Sequence, residues 1–316
     1  MAMVMNPMHD ASTSSATSAA ISVAAVRQLF ARPLRCDASQ FLRREISARM
    51  LERLALIKIK PQQILDAGCG EGRDLLPLQQ NYPEAELLAI DAALPMLQAA
   101  RLANAATRSA LTKALAKLMG KPRYESATAA LACADFAQLP LASNRVDLLW
   151  SNLALHWHPQ PHRVLAEWAR VLRTDGLLMF SCFGPDTFAE LRELFQAQRM
   201  PSRALPFVDL HDYGDMLQAA GMADPVMDME KITLTYADPA ALLADVRALG
   251  GNPLLDRPRG LQGKHGWRRA LALLDQRRDT DGRIRLTVEV IYGHAFRPMP
   301  KRNSRGEHII HFNPKP

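Results

Sequence analysis

Cysteine is scarce in this chain of 316 residues, and the four present, Cys36, Cys69, Cys133 and Cys182, lie far apart with no C-x-x-C pair. No His stands at metal-ligand spacing beside them, so neither a disulfide framework nor a zinc site is expected and no metal is assigned. Also missing is an apolar run approaching the ~20 residues that a membrane helix needs. The start of the chain lacks the basic residues and apolar core of a secretory signal. Rich in Ala, Ser, Thr and Met, residues 1–25 read as a disordered extension. Together these absences place the chain in a reducing, cytoplasmic compartment, away from membranes.

What is present is an ordinary globular composition, 48% apolar, in a chain long enough for one large domain with insertions. The formal net charge is +7, and its location says more than its total. From Asp256 to Arg285 there are nine basic residues (Arg257, Arg259, Lys264, Arg268, Arg269, Arg277, Arg278, Arg283, Arg285) against four acidic ones. Such a stretch is either a docking patch for an acidic partner or a solvated helix face, and both readings stay open. Residues 297–316, with four prolines among basic side chains, read as a disordered basic tail.

Helical spacing of Leu42, Ile46, Met50 and Leu54 predicts one or two helices in an N-terminal segment, residues 26–60. An α/β domain is expected over residues 61–296. Its strands are predicted at Gln63 to Leu65, Glu86 to Asp91, Ala130 to Ala134, Val146 to Ser151, Leu177 to Cys182, Ile232 to Tyr236 and Leu286 to Tyr292, separated by helical stretches near Gly72, Leu94, Pro161 and His211. This alternation argues for a doubly wound, seven-stranded, mostly parallel sheet with helices on both faces. Two segments are surplus to it: a helical insertion at 104–128 and a small helical cap at 239–279, between the last two strands.

In such a sheet, ligands bind beyond the carboxyl ends of the strands. There the chain carries Asp66-Ala67-Gly68-Cys69-Gly70, a turn whose glycines allow close backbone approach. Asp66 would fix the loop or accept from the ammonium of a methionine moiety. Asp91, with Ala92 and Met96 after it, is placed to accept from two ribose hydroxyls. Asp135 would accept from an adenine amino group, with Phe136, Leu94, Met96 and Leu139 around the ring. Ser151 and Asn152, at the fourth strand end, would border the reacting methyl. A dinucleotide would use the same architecture, but Gly68, Gly70 and Gly72 lack the spacing of that fingerprint. S-adenosylmethionine is therefore the expected cofactor.

These residues resemble the class I, Rossmann-like methyltransferases from about Ile64 to Cys182. A narrower likeness runs from about Phe30 to Phe296: Ser151-Asn152-Leu153-Ala154-Leu155-His156-Trp157, then Phe180 to Thr187 with Glu190-Leu191-Arg192, then Val288 to Ala295. It resembles the malonyl-acyl carrier protein O-methyltransferases of biotin synthesis. The resemblance implies methylation of the free carboxylate of malonyl-acyl carrier protein or malonyl-CoA. An ionised carboxylate is already nucleophilic at pH 7, so no catalytic base is required; the reaction needs positioning and exclusion of water.

For that positioning the expectation falls on Arg192, His156 and Trp157, with Arg43, Arg44 and Arg247 as alternative cations for the malonyl carboxylate. The basic segment Arg257 to Arg285 would dock the acidic carrier protein. The sequence departs from the family pattern at Cys36, where a Tyr is common, and at His156, where a Gln is common. The His-Trp pair also resembles a protein-arginine hydroxylase that acts as a complex I assembly factor on the same fold. A nucleic-acid methyltransferase is weaker, since Ser151-Asn152-Leu153-Ala154 lacks the Pro-Pro-aromatic turn that holds a target base.

Overall fold

The structure of the chain, a computed structural model, describes residues 20–33, 39–103, 129–197, 205–255 and 264–299. The start of the expected extension, Cys36, the 104–128 insertion, Arg257, Arg259 and the tail from residue 300 lie outside the described residues.

Strands β1 (Gln63–Ala67), β2 (Glu86–Asp91), β3 (Ala130–Cys133), β4 (Val146–Asn152), β5 (Leu172–Phe183), β6 (Ala223–Tyr236) and β7 (Ile284–Phe296) form one sheet in the order β3-β2-β1-β4-β5-β7-β6. The first five are parallel; β7 runs antiparallel to both β5 and β6. The order reverses at β1, where the chain leaves β3 at one edge and re-enters as β4 on β1's other side. That switch point is where a ligand crevice belongs.

The central strands are apolar on both sides because both faces of the sheet are covered. Ile64, Leu148, Trp150 and Met179 join one core with helices α2 (Gln40–Ala55), α3 (Leu75–Asn81), α6 (Ala189–Ala197), α8 (Pro239–Ala248) and α9 (Lys264–Asp275). Leu65, Leu149, Leu178 and Phe180 join the other core with α5 (Pro161–Val171) and α7 (Leu210–Ala219). Helix α4, described over residues 94–103, follows β2. Among the described residues no helix is long and apolar enough to cross a membrane.

Several boundaries differ from expectation. The N-terminal segment forms two helices, α1 (Val23–Phe30) and α2. Order begins within the presumed extension: Ile21 is buried against Leu254, and the Ser22 hydroxyl caps α1 by accepting from Ala25 N–H. At the other end Arg297 donates to the carbonyls of Ala169, Arg170 and Leu172 and so ties the start of the expected tail to the end of α5. Helix α3 starts at Leu75 rather than near Gly72. The two strands bordering the 239–279 segment are also far longer than the sequence suggests, 14 residues for β6 and 13 for β7.

Candidate active site

The turn after β1 is held by the neighbouring strand. Gly68 and Cys69 both donate to the Ile90 carbonyl, and Gly70 N–H donates to Asp91 Oδ2 at 2.9 Å. Gly68 has φ +80° and lies against Ala154, where a Cβ would come within 2.4 Å of the alanine methyl, so no other residue fits. Gly70 faces open space. That space is a cavity of about 200 Å³ between the turn and α2, lined by Asp66, Gly68, Cys69, Gly70 and Asn152 on one side and by Arg43, Arg44 and Ser47 on the other.

Asp66 forms the floor. It is 2% exposed, and among the described residues its Oδ2 has no hydrogen-bond partner. Burial, with repulsion from Asp74 and Asp91, pushes its carboxyl well above the usual range. The Cys69 thiol is pushed up by the same causes, so it is no nucleophile at neutral pH. A buried carboxylate oxygen without a partner calls for a cation or donor from a ligand. The ammonium of a methionine moiety is such a group, and the residues present therefore fit S-adenosylmethionine.

The residues expected around the adenosine are arranged differently. Asp91 accepts from Gly70 and Ala93 N–H groups; burial still raises its pKa against those two bonds. Asp135 accepts from Ala137 N–H and pairs with Arg27 of α1 at 3.3 Å. Phe136 sits beside Gly68 and meets the Trp168 ring edge-on. Ala92 is half-buried and Met96 is buried with Ala93. The structure puts Phe30 of α1 over Ala93 and Met96, while Leu94 is largely exposed and Leu139 belongs to the α5 core. Leu139, packed in that core, is thus not the wall expected around an adenine ring.

Two expected residues have structural partners instead. Ser151 is fully buried and donates to the Ala67 carbonyl at 2.8 Å, stapling β4 to β1 away from the cavity. Arg192 donates to the carbonyls of Pro185 and Thr187, so its guanidinium holds the loop after β5 and does not line the cavity. Arg247 stacks 4.2 Å over Trp267. Of the cations considered, Arg43 and Arg44 reach the cavity.

His156 and Trp157 occupy a single 3-10 turn after β4 and build an aromatic wall with Phe183, Phe207 and Phe30. Gly250 lies flat on the Trp157 indole, where a Cβ would be 2.3 Å from the ring. His156 is buried, and its pKa is lowered to about 3 by desolvation and by Arg43.

Sequence reasoning missed Asp74. Half-buried just before α3, it accepts from Trp150 Nε1 (2.9 Å), from Asn152 Nδ2 (3.0 Å) and from the Ser47 hydroxyl. It thereby joins α2, α3 and β4 at the wall of the cavity. An acidic residue opening a helix reads as a cap, and no spacing in the sequence distinguishes it. Gln40, which donates to Glu71 at 2.9 Å across the cavity, was missed too.

A family model described as a methyltransferase domain matches residues 65–180. Among solved structures, a candidate methyltransferase of Bacillus halodurans is 15% identical with a TM-score of 0.51, over 80% of this chain and 99% of that one. The YcgJ protein of Bacillus subtilis, at 16% identity and a TM-score of 0.50, covers 76% and 93%. Both show the fold. Fold, cavity and matched domain define an S-adenosylmethionine-dependent methyltransferase.

Full-length likeness is closer. A malonyl-[acyl-carrier protein] O-methyltransferase of Gallionella capsiferriformans is 44% identical over 90% of this chain and 94% of its own length. One of Laribacter hongkongensis is 45% identical, over 88% and 91%. The chain belongs to the malonyl-[acyl-carrier protein] O-methyltransferase family.

Proposed function

We propose that the chain methylates the free carboxylate of a malonyl group carried by acyl carrier protein, an early step of biotin synthesis, at the cavity between α2 and the β1 turn. The observation that carries this reading is the polarity of that cavity. A partnerless buried carboxylate, Asp66, forms its floor, and arginines 43 and 44 form its opposite wall. The floor suits the cation of the cofactor and the wall suits the anion of the substrate. The relatives' names support the same substrate.

S-adenosylmethionine supplies a methyl group on a positively charged sulfur. We assign its methionine end to Asp66, Gly68, Cys69, Gly70 and Asn152, and its adenosine end to Asp91, Ala92, Met96, Asp135 and Phe136. Ser151 acts indirectly, by fixing the strand from which Asn152 projects. Arg43 replaces Arg192 as the group that meets the carboxylate. His156 and Trp157 keep their expected place beside the acyl group, in a wall of rings that excludes water. The substrate arrives ionised at pH 7, so the chain's task is orientation, and no residue has to take a proton.

Carrier protein is proposed to dock on the basic segment 257–285. Within it Arg277, Arg278 and Arg285 pair with Glu193, Asp275 and Asp279, so these acids already offset part of the charge. The free thiols Cys69, Cys133 and Cys182 support a cytoplasmic setting. The arginine hydroxylase alternative finds no support among the relatives, whose names are methyltransferases.

The test is direct. Purified protein is given methyl-labelled S-adenosylmethionine and either malonyl-acyl carrier protein or malonyl-CoA. Base-labile label on a malonyl species is expected, and its absence with cofactor bound overturns the reading. Asp91→Ala should weaken cofactor binding at least ~10-fold, as loss of a buried hydrogen-bonding carboxylate would.

A further inference from the structure

Among the described residues two buried hydrogen-bond donors have no acceptor, one on a side chain that lines the cavity and one in the 3-10 turn after β4. One is Arg43 Nε, on the face of α2 that lines the cavity. The other is His156 Nε2. The His156 ring accepts from Phe183 N–H through Nδ1 at 3.4 Å, and in a neutral imidazole that places the proton on Nε2. Burial and the nearby Arg43 charge keep the ring neutral, so it remains a donor with one proton to give across the physiological range. Helix α2 is tied to β4, the strand that leads into the turn bearing His156, because Asn152 at the end of β4 donates to the Arg43 carbonyl at 3.3 Å. Trp157, Phe183 and Phe207 surround His156 with rings.

An unmade bond at a buried donor is costly. Two such donors within each other's electrostatic reach complement a single acceptor with several lone pairs and a negative charge. A carboxylate has both. We propose that Arg43 Nε–H and His156 Nε2–H hold one oxygen of the substrate carboxylate between them and leave its other oxygen free to attack, which makes His156 a residue that distinguishes the free acid from its ester. In the transfer the free oxygen forms a bond to the methyl carbon, the carbon–sulfur bond breaks, and its electron pair leaves with sulfur; no proton moves. The methyl ester has lost the charge that Arg43 met, so product is held less tightly than substrate. This inference rests on the malonyl carboxylate being the acceptor, as proposed above.

The test compares the full chain with His156→Gln, which retains an N–H donor at similar reach, and His156→Phe, which preserves the ring and deletes the donor. Cofactor affinity and melting temperature are measured alongside kcat and KM for a malonyl thioester. Expected are near-normal constants for H156Q and, for H156F, a fall of about 10- to 100-fold in kcat/KM, mostly through KM, with cofactor affinity and melting unchanged. H156F within about twofold of wild type, or H156Q as impaired as H156F, overturns the inference. Should H156F not fold, ¹⁵N-labelled wild type answers instead. The His156 Nε2 resonance should shift when a malonyl thioester is added with S-adenosylhomocysteine, and an unmoved resonance overturns the inference. Wild type that methylates no malonyl thioester overturns the functional reading itself, a result distinct from all of these.

Discussion

Asp66 is the residue at which stability and function pull apart most clearly. Its Oδ2 is buried with no partner among the described residues, and Asp74 and Asp91 repel its charge. A folded-state pKa raised above the unfolded value means that the native state holds this proton more tightly than the unfolded chain does. The stability from that proton is fully present below the unfolded carboxylate range and is lost as pH rises through the folded value. At pH 7 the ligand-free protein therefore carries a cost that Asp66→Asn removes. D66N should be more stable than wild type by about 1–3 kcal/mol, with a smaller loss of stability between acidic and neutral pH, while losing the stabilisation that S-adenosylmethionine gives wild type. Denaturant titrations with and without cofactor check both; a destabilised D66N that still binds would remove Asp66 from the site. At this scale the sequence showed the acids at the strand ends, because strand register alone puts Asp66 and Asp91 there. It could not show that Arg192 turns back onto the carbonyls of the loop before it, or that Asp74 gathers Ser47, Trp150 and Asn152, which are distant from it in sequence.

At the scale of elements, the placement of α2 sets the wall of the cavity proposed to meet the substrate. Its outer turns are tied to the sheet edge, Arg49 to Glu230 and Arg53 to Asp228, with Arg53 also 4.0 Å over the Tyr292 ring and the Tyr292 hydroxyl donating to Glu230. Burial of Leu42, Ile46, Met50 and Leu54 anchors the helix; the ion pairs at the partly exposed edge set its pitch and are individually worth at most about 1 kcal/mol. Glu230→Ala should therefore lower stability modestly and raise KM for malonyl thioester more than it changes cofactor affinity, measured by steady-state kinetics and calorimetry. The first half of β6 was not legible because it is an edge strand with Pro225 at its bulge and acidic residues facing solvent. Those residues read as loop, and only pairing with β7 makes them strand. By contrast, β1, β2 and β4 were legible as short apolar runs because they are buried on both faces.

For the whole molecule the question is where the charge of +7 acts. Several arginines of the 257–285 segment already have acidic neighbours, so any attraction for a carrier protein is long-range and screened. Raising salt from ~0.05 M to ~0.3 M should increase KM for malonyl-acyl carrier protein several-fold and leave KM for a short, uncharged-handle malonyl thioester within about twofold. Equal salt dependence for both substrates would argue against protein docking on that segment.

Phe30 touches both halves of the proposed site: its ring lies on Ala93 and Met96, at the end assigned to the adenosine, and meets Trp157 edge-on, 5.4 Å between centroids, at the end assigned to the acyl group. One side chain that must accommodate two ligands makes their affinities interdependent, and linkage requires the influence to be equal in both directions. Cofactor should thus bind several-fold more tightly when a malonyl thioester is present, and the thioester should gain by the same factor. In Phe30→Ala, paired calorimetric titrations should return a factor near 1, each ligand then binding as though the other were not there.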